Sequence, residues 1–224
     1  MFGSIAARYD FLNHFLSGNI DRIWRRNCVR WVAGRLDAER PRILDVGCGT
    51  ADLSLSFSRL GYVVGCDFCH PMLLIGKRKT TRARCRNRID LLEGDALRLP
   101  FREASFDAVV SAFVLRNLAD IGQGLHEMRR VMRPRGVLGI LDFALPENPV
   151  FGPLFGFYFT RVLPRLGKTL SGVDGPYSYL PESVKLFPPP EQLRRLIAEA
   201  GFDRTEYRRF SGGIAVLQLA NRRG

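Results

Sequence analysis

Apolar residues in this chain fall into short runs that end on glycine or an acidic residue, with helix-period stretches between them. Ile43, Leu44 and Val46 form the first run. Tyr62-Val63-Val64-Gly65-Cys66 forms the second and ends at Asp67. Ile89-Asp90-Leu91-Leu92-Glu93 is followed by Gly94-Asp95-Ala96, Phe106 to Ala112 is almost wholly apolar, and Val137 to Leu141 follows the turn Pro134-Arg135-Gly136. Between these runs, Thr50 to Leu60, Pro71 to about Thr80, and Ile121 to Met132 read as helices. The last places Ile121, Leu125, Met128 and Met132 on one side. Pro71 suits a helix start. Glu191 to Ala200 is a further helix closed by Gly201, and Phe202 to Arg209 with Ile214 to Leu219 is a closing strand pair. Strands alternating with helices predict an α/β fold with a parallel, doubly wound sheet.

Two segments stand outside this alternation. Residues 1–40 carry helical spacing at Phe2, Ile5, Tyr9, Leu12 and Leu16, then at Ile23, Trp24, Val29, Trp31 and Val32, which predicts an N-terminal helical cap. Residues 146–190 are rich in Pro, Gly and aromatics. So long a connection is expected to contain helix, near Leu154 to Leu163, and to cover something. No repeat or linker divides the chain, so residues 1–224 read as one domain.

Charge and cysteine content narrow the setting. The net charge is +12, with basic residues densest from Lys77 to Arg88, which invites an anionic partner such as a nucleic acid or a membrane surface. A solvated helix face is the simpler reading of that run. Five cysteines without framework spacing suit a reducing compartment, and the N-terminus lacks the pattern of a secretory signal. The expected location is cytoplasmic, with the inner face of the membrane as a point of association.

The chemistry concentrates at Arg42-Ile43-Leu44-Asp45-Val46-Gly47-Cys48-Gly49-Thr50-Ala51-Asp52, a strand, a glycine turn and the start of a helix. Gly47 and Gly49 permit close approach of a nucleotide-like ligand. A dinucleotide fingerprint would place its third glycine where Asp52 stands. A carboxylate there opposes a pyrophosphate and favours the cationic, phosphate-free S-adenosylmethionine. Asp67, ending the second strand, is placed for bidentate hydrogen bonds to ribose hydroxyls, and Asp95 for the adenine amine. Simpler roles exist for each: Asp67 as a helix cap and Asp95 as a turn residue.

Other motifs carry less. Cys66-Asp67-Phe68-Cys69 has CxxC spacing but no second ligand pair, so both thiols read as packing residues and no metal is expected. His14, His70 and His126 are scattered, His14 being a weak acid/base candidate and His126 a helix-surface residue. Nucleic-acid amino methyltransferases carry an Asn/Asp-Pro-Pro-aromatic loop after the fourth strand. Here Ser111-Ala112-Phe113-Val114-Leu115-Arg116-Asn117 occupies that place, and no aromatic-basic platform is evident, which weakens a nucleic-acid reading.

Arg116-Asn117 leads to a resemblance that runs nearly end to end. Phe2-Gly3-Ser4-Ile5-Ala6 with Tyr9-Asp10 and Asn13, Asp21-Arg22-Ile23-Trp24-Arg25, Leu115-Arg116-Asn117-Leu118, Arg130-Val131-Met132-Arg133-Pro134-Arg135-Gly136 and Tyr177-Ser178-Tyr179-Leu180-Pro181-Glu182-Ser183 are similar to the signatures of the ubiquinone/menaquinone biosynthesis C-methyltransferases (UbiE/MenG type). The family usually has Gly where Ala51 stands and Glu where Asp142 stands. A helical Ala51 would tolerate the first change.

The resemblance implies a class I, Rossmann-like sheet, mostly parallel with an antiparallel C-terminal strand. It implies C-methylation of a polyprenylated quinol and cofactor contacts at Thr50, Asp67, Asp95 and Ala96, beside the loop glycines. Arg116 is then expected to stabilise a phenolate, Asn117 to orient the hydroxyl or a relay water, and Tyr9 to join the relay or meet the methionine end of the cofactor. Packing and capping are the plainer roles for Asn117 and Tyr9. Phe155, Phe157 and Phe159 are expected to line a groove for the isoprenoid tail, with Arg161, Arg165 and Lys168 near lipid head groups. Peripheral membrane contact and a homodimer fit this picture. The alternatives are methylation of another small or lipid acceptor, or a basic binding module on the same scaffold.

Overall fold

In the computed structural model, which describes residues 19–85, 87–162 and 176–224, seven strands form one sheet in the order β3-β2-β1-β4-β5-β7-β6. The strands are β1 (Arg42–Val46), β2 (Tyr62–Asp67), β3 (Ile89–Glu93), β4 (Phe106–Ala112), β5 (Met132–Phe143), β6 (Phe202–Phe210) and β7 (Ala215–Arg222). β1 to β5 run parallel, and β7 runs antiparallel to both β5 and β6. The helices are α1 (Ile20–Ala33), α2 (Asp52–Phe57), α3 (His70–Arg82), α4 (Ile121–Val131), α5 (Phe151–Phe157), α6 (Pro176–Leu186) and α7 (Pro190–Glu199).

The apolar runs become strands because both faces of the sheet are covered. On one face Leu44, Val46, Val109, Leu138 and Ile140 pack under Leu125 and Met128 of α4 and Leu193 and Ile197 of α7. On the other, Ile43, Val63, Val110 and Leu141 pack under Trp24, Cys28 and Val32 of α1 and Leu53 and Phe57 of α2. α1 approaches β5 closely because Gly139 has no side chain: a Cβ there would lie 2.6 Å from Val32 Cγ2. Order reverses between β1 and β4, so the ends of β1, β2, β3 and β4 share one crevice, where ligands bind in open α/β sheets.

Several boundaries differ from those predicted. The helix before Pro134 stops at Val131, and β5 runs unbroken from Met132 to Phe143. Pairing jumps from Phe106 with Met132 to Ala108 with Val137, so Pro134 sits in a bulge where its missing N–H costs no ladder bond. The predicted helix in the insertion starts earlier, as α5, and passes into a π-helical turn, Tyr158–Val162. α6 was not expected from its composition and holds Pro181 within it. Of the predicted cap, α1 is present; residues 1–18, with Tyr9 and His14, lie outside the described residues, as do Arg165 and Lys168.

The arginine-rich run is a solvated face at Lys77, Arg78, Arg82, Arg84 and Arg88, all exposed. Lys79 departs from it, turning in toward the glycine loop. His126 is exposed, with Nδ1 2.7 Å from the Gly122 carbonyl oxygen, and His70 is exposed beside Glu93. Cys66 and Cys69 are buried packing residues, and burial pushes the Cys66 thiol up to about 12.

Candidate active site

The turn after β1 is built from left-handed backbone. Gly47 has φ +68° and Gly49 has φ +52°, a region that strains residues with a Cβ. A Cβ on Gly47 would lie 2.5 Å from both γ-carbons of Val114, so the turn is pressed against the segment following β4. At Gly49 a Cβ would meet only Met72 Sδ, at 3.7 Å, which leaves open space above the loop. Ala51 is left-handed too, at φ 70°, contrary to the helical conformation expected. Here the family's usual glycine is the residue the backbone favours, and Ala51 holds a strained conformation while fully buried.

Asp67 fastens this loop to β2. Its Oδ2 accepts the Gly49 N–H at 2.8 Å and its Oδ1 accepts the Cys69 N–H at 2.8 Å. Burial raises the Asp67 pKa, and the two backbone N–H groups oppose the rise. The bond to Cys69 forms a turn ahead of α3, whose N-cap is Cys69, and is not the expected cap of the helix itself; each oxygen keeps lone-pair capacity for a further donor. An acceptor pair held rigidly beside open space suits vicinal hydroxyls, so the residues present fit a nucleoside cofactor. Asp95 lies at the end of β3, exposed, with Oδ1 accepting the Leu97 N–H at 2.9 Å in its own turn, and Ala96 packs half-buried against the core.

Two residues of the loop have a partner that the sequence did not show. The Thr50 hydroxyl, expected to contact the cofactor, is buried and accepts a hydrogen bond from Lys79 Nζ at 2.9 Å. Lys79 Nζ also lies 2.7 Å from Asp52 Oδ1. Asp52 is therefore paired, and the repulsion of a pyrophosphate that its charge suggested is much reduced. Lys79 is 27 positions away in sequence, beyond the reach of motif reading.

Sequence reasoning also passed over Asp45, an acid inside an apolar strand. It is buried, its Oδ2 accepts the Ser54 Oγ–H at 2.5 Å, and its Oδ1 has no hydrogen-bond partner. Burial pushes its pKa from 3.8 to about 7, against the Ser54 hydrogen bond and the charge of Arg25, while Asp67 pushes the same way as burial. With the folded value raised, the stabilising contribution is full below pH 3.8 and is lost as pH rises to about 7. Asp45→Asn is expected to flatten the stability profile across that window. Thermal melts of both proteins from pH 4 to pH 8 check this, and parallel profiles would refute it.

The acceptor side is built around a tilted aromatic pair. Phe113, left-handed at φ 64°, and Phe143 have ring centroids 4.6 Å apart. A left-handed bulky residue is an outlier of the kind that marks functional sites. Arg116 lies over Phe143 at 5.4 Å, and Arg25 over Phe113 at 5.3 Å. Each guanidinium is ion-paired, Arg116 Nη1 with Asp142 Oδ1 at 2.7 Å and Arg25 with Asp21 one helical turn away. The Nε–H of each is buried with no hydrogen-bond partner. Trp24 closes the cluster with its ring 6.0 Å from Phe143, its Nε1–H donating to Ser211 Oγ at 3.0 Å.

Arg116 is thus placed at the crevice as expected, although its charge is matched by Asp142 and its free donor is Nε–H. Asn117 Nδ2–H donates to the Phe113 carbonyl at 3.4 Å, which supports its turn-building role. Arg25 and Asp21 stood within the recognised Asp21-Arg22-Ile23-Trp24-Arg25 signature, and opposite charges four apart were the signal for them. Phe155 and Phe159 stack at 5.2 Å, and Phe159 continues to Phe143 at 6.5 Å. Phe157, expected beside them, is exposed on the outer side of α5.

The sheet order, the left-handed glycine turn and the acid ending β2 together define the class I methyltransferase fold. Solved structures share the fold. One from Thermotoga maritima, described as a SAM-dependent methyltransferase, aligns with TM-score 0.69 and 16% identity over 99% of this chain and 98% of its own. The [4+2]-cyclase SpnF aligns at 0.67 and 18% over 88% and 80%, so the fold alone leaves the reaction open. The sequence is more specific. The profile of the ubiE/COQ5 methyltransferase family matches residues 1–222, and this chain belongs to that family. It is similar to the demethylmenaquinone methyltransferases of Deinococcus radiodurans (45% identity, 100% of this chain and 91% of that protein) and Thermus thermophilus (44%, 99% and 100%). It is 41% identical to the ubiquinone/menaquinone biosynthesis C-methyltransferase UbiE of Geobacter sulfurreducens, over 97% and 85%.

Proposed function

We propose that this protein methylates a ring carbon of a polyprenylated quinol, with demethylmenaquinol as the foremost substrate. The observation that carries this reading is the aromatic pair Phe113–Phe143 with the half-buried Arg25 guanidinium over one ring and the buried Arg116 guanidinium over the other, next to the glycine loop of a ubiE/COQ5 family chain. The two relatives at 45% and 44% identity are both named demethylmenaquinone methyltransferase, which favours a naphthoquinol over a benzoquinol ring.

S-adenosylmethionine, held by Gly47, Gly49, Asp67, Asp95 and Ala96, supplies an activated methyl group. Thr50 supports that loop through Lys79. The chain's own residues have three tasks. The phenyl rings of Phe113 and Phe143 hold a flat ring and exclude water. The quinol hydroxyl passes its proton to a relay water, the Arg116 Nε–H donates to the oxygen as it gains negative charge, and Asp142 fixes the guanidinium for this. The methylated ring carbon then loses its own proton to water, which restores the aromatic ring. Asn117 braces the turn carrying Arg116, and Tyr9 is proposed, as the family resemblance implies, to join the relay or meet the methionine end of the cofactor. Holding both reactants in one dry pocket provides most of the acceleration.

The prenyl tail makes the substrate a membrane lipid. Among the described residues no helix is long and apolar enough to cross a membrane, so the protein is proposed to meet the bilayer from one side, near the cytoplasmic leaflet. The test is purified protein with labelled S-adenosylmethionine and a panel of reduced prenylated quinols read by mass spectrometry. A singly C-methylated menaquinol is expected. Label transfer to a sterol or phospholipid amine, with none to any quinol, would overturn the assignment.

A further inference from the structure

We propose that the outer face of α5 is a membrane-docking surface that inserts among the head groups of an anionic bilayer and so brings the active site to a lipid substrate. This rests on the quinol reading for the identity of that substrate. The docking itself rests on the surface.

The stretch 149–160, which spans α5, contains no charged residue. At 100° per residue, Val150, Leu154, Phe157, Tyr158 and Arg161 fall on one side, and Phe155 and Phe159 on the other. The second side is accounted for, since Phe159 and Val184 form a small core with Phe143 and Phe155. The first side is bare: Val150 is 79% exposed, Leu154 67% and Phe157 62%. Apolar side chains this large, gathered on one helix face, mark an interaction site.

Charge selects the occupant. The chain carries +12, and exposed Arg161 ends the apolar stripe. An apolar stripe bordered by a cation on a strongly basic protein matches the boundary layer of a bilayer with acidic head groups, where apolar burial and electrostatic attraction act together. On the inner face Phe155 stacks on Phe159, Phe159 reaches Phe143, and Phe143 lies beneath the Arg116 guanidinium, so a packed row of rings ties the docking helix to the active site.

The experiment is sedimentation of the full chain with phosphatidylcholine vesicles, with and without phosphatidylglycerol. Wild type is expected to bind the phosphatidylglycerol vesicles and to be released in part by salt. Leu154→Asp with Phe157→Asp is expected to lower partitioning about tenfold or more while methylating a short-tailed, water-soluble quinol as wild type does. Phe157→Trp, which keeps the surface apolar, covers misfolding of the aspartate variant. Its added fluorescence is expected to be quenched by bromine-labelled lipid. Equal partitioning of wild type and the double variant, or an unquenched Trp at 157, would overturn the proposal. So would a wild-type dimer that the double variant converts to monomer without loss of vesicle binding, because the face would then belong to a second copy. Failure to methylate the soluble quinol would sink the quinol reading and leave the docking result standing.

Discussion

Replacing Arg116 by alanine is expected to cost about 3–5 kcal/mol of stability as well as turnover, because it strands the carboxylate of Asp142 in the interior. Both partners are buried, and the ion pair at 2.7 Å is supplemented by the Arg116 backbone N–H, 3.5 Å from Asp142 Oδ2. Loss of activity in that variant alone therefore says little about chemistry. The informative protein is Arg116→Met with Asp142→Leu. Removing both charges leaves no unpaired charge, although the backbone N–H groups of residues 116 and 143 lose Asp142 as an acceptor, and replacing a buried pair with apolar residues of similar size is often neutral or stabilising. Denaturant melts are expected to show stability close to wild type. Turnover is expected to remain at least about a hundredfold down, the scale of losing one oriented donor to a developing oxyanion, with calorimetric affinity for S-adenosylmethionine nearly unchanged. Restoration of turnover in the double variant would reduce Arg116 to a structural residue.

The second large effect is expected at Asp67. Asp67→Ala removes the acceptor of both the Gly49 and Cys69 N–H groups, so the loop is released from β2 as the acceptor pair for the cofactor is lost. Charge-assisted hydrogen bonds contribute about 1.5–3 kcal/mol each, so S-adenosylmethionine affinity is expected to fall by about a hundredfold or more. Isothermal calorimetry reads this directly, and unchanged affinity would refute the assignment. The pH dependence has a definite sign. Burial raises the Asp67 pKa, so protonation begins at a higher pH than for an exposed aspartate. Cofactor affinity in wild type is expected to weaken as pH falls through that raised value.

Much of the crevice was legible because its parts are local. The turn at Gly47 and Gly49 directly follows an apolar run, and Asp67 directly ends one, so strand ends and acids could be aligned without a structure. Strand ends in a parallel sheet share one edge, which put Gly47, Asp67, Asp95 and Arg116 together by topology alone. The insertion was legible only in part: an aromatic run predicts burial, and which aromatics face inward depends on what stands opposite. Phe155 and Phe159 found Phe143 and Val184, and Phe157 found solvent.

By itself, the sequence determined the strand–helix alternation, the cofactor edge and, through its motifs, the family, because each of these depends on neighbours a few positions apart. The tertiary structure alone decided the charge states and partners at the site. Lys79 neutralises Asp52 because α3 packs near the start of α2, and Asp142 meets Arg116 because β5 lies beside β4, 26 positions away in the chain. Asp45 was visible as a letter, but its rise to about 7 required the burial that α1 and α2 impose. Desolvation and ion pairing depend on distance in space, which chain order constrains only after the sheet has closed around them.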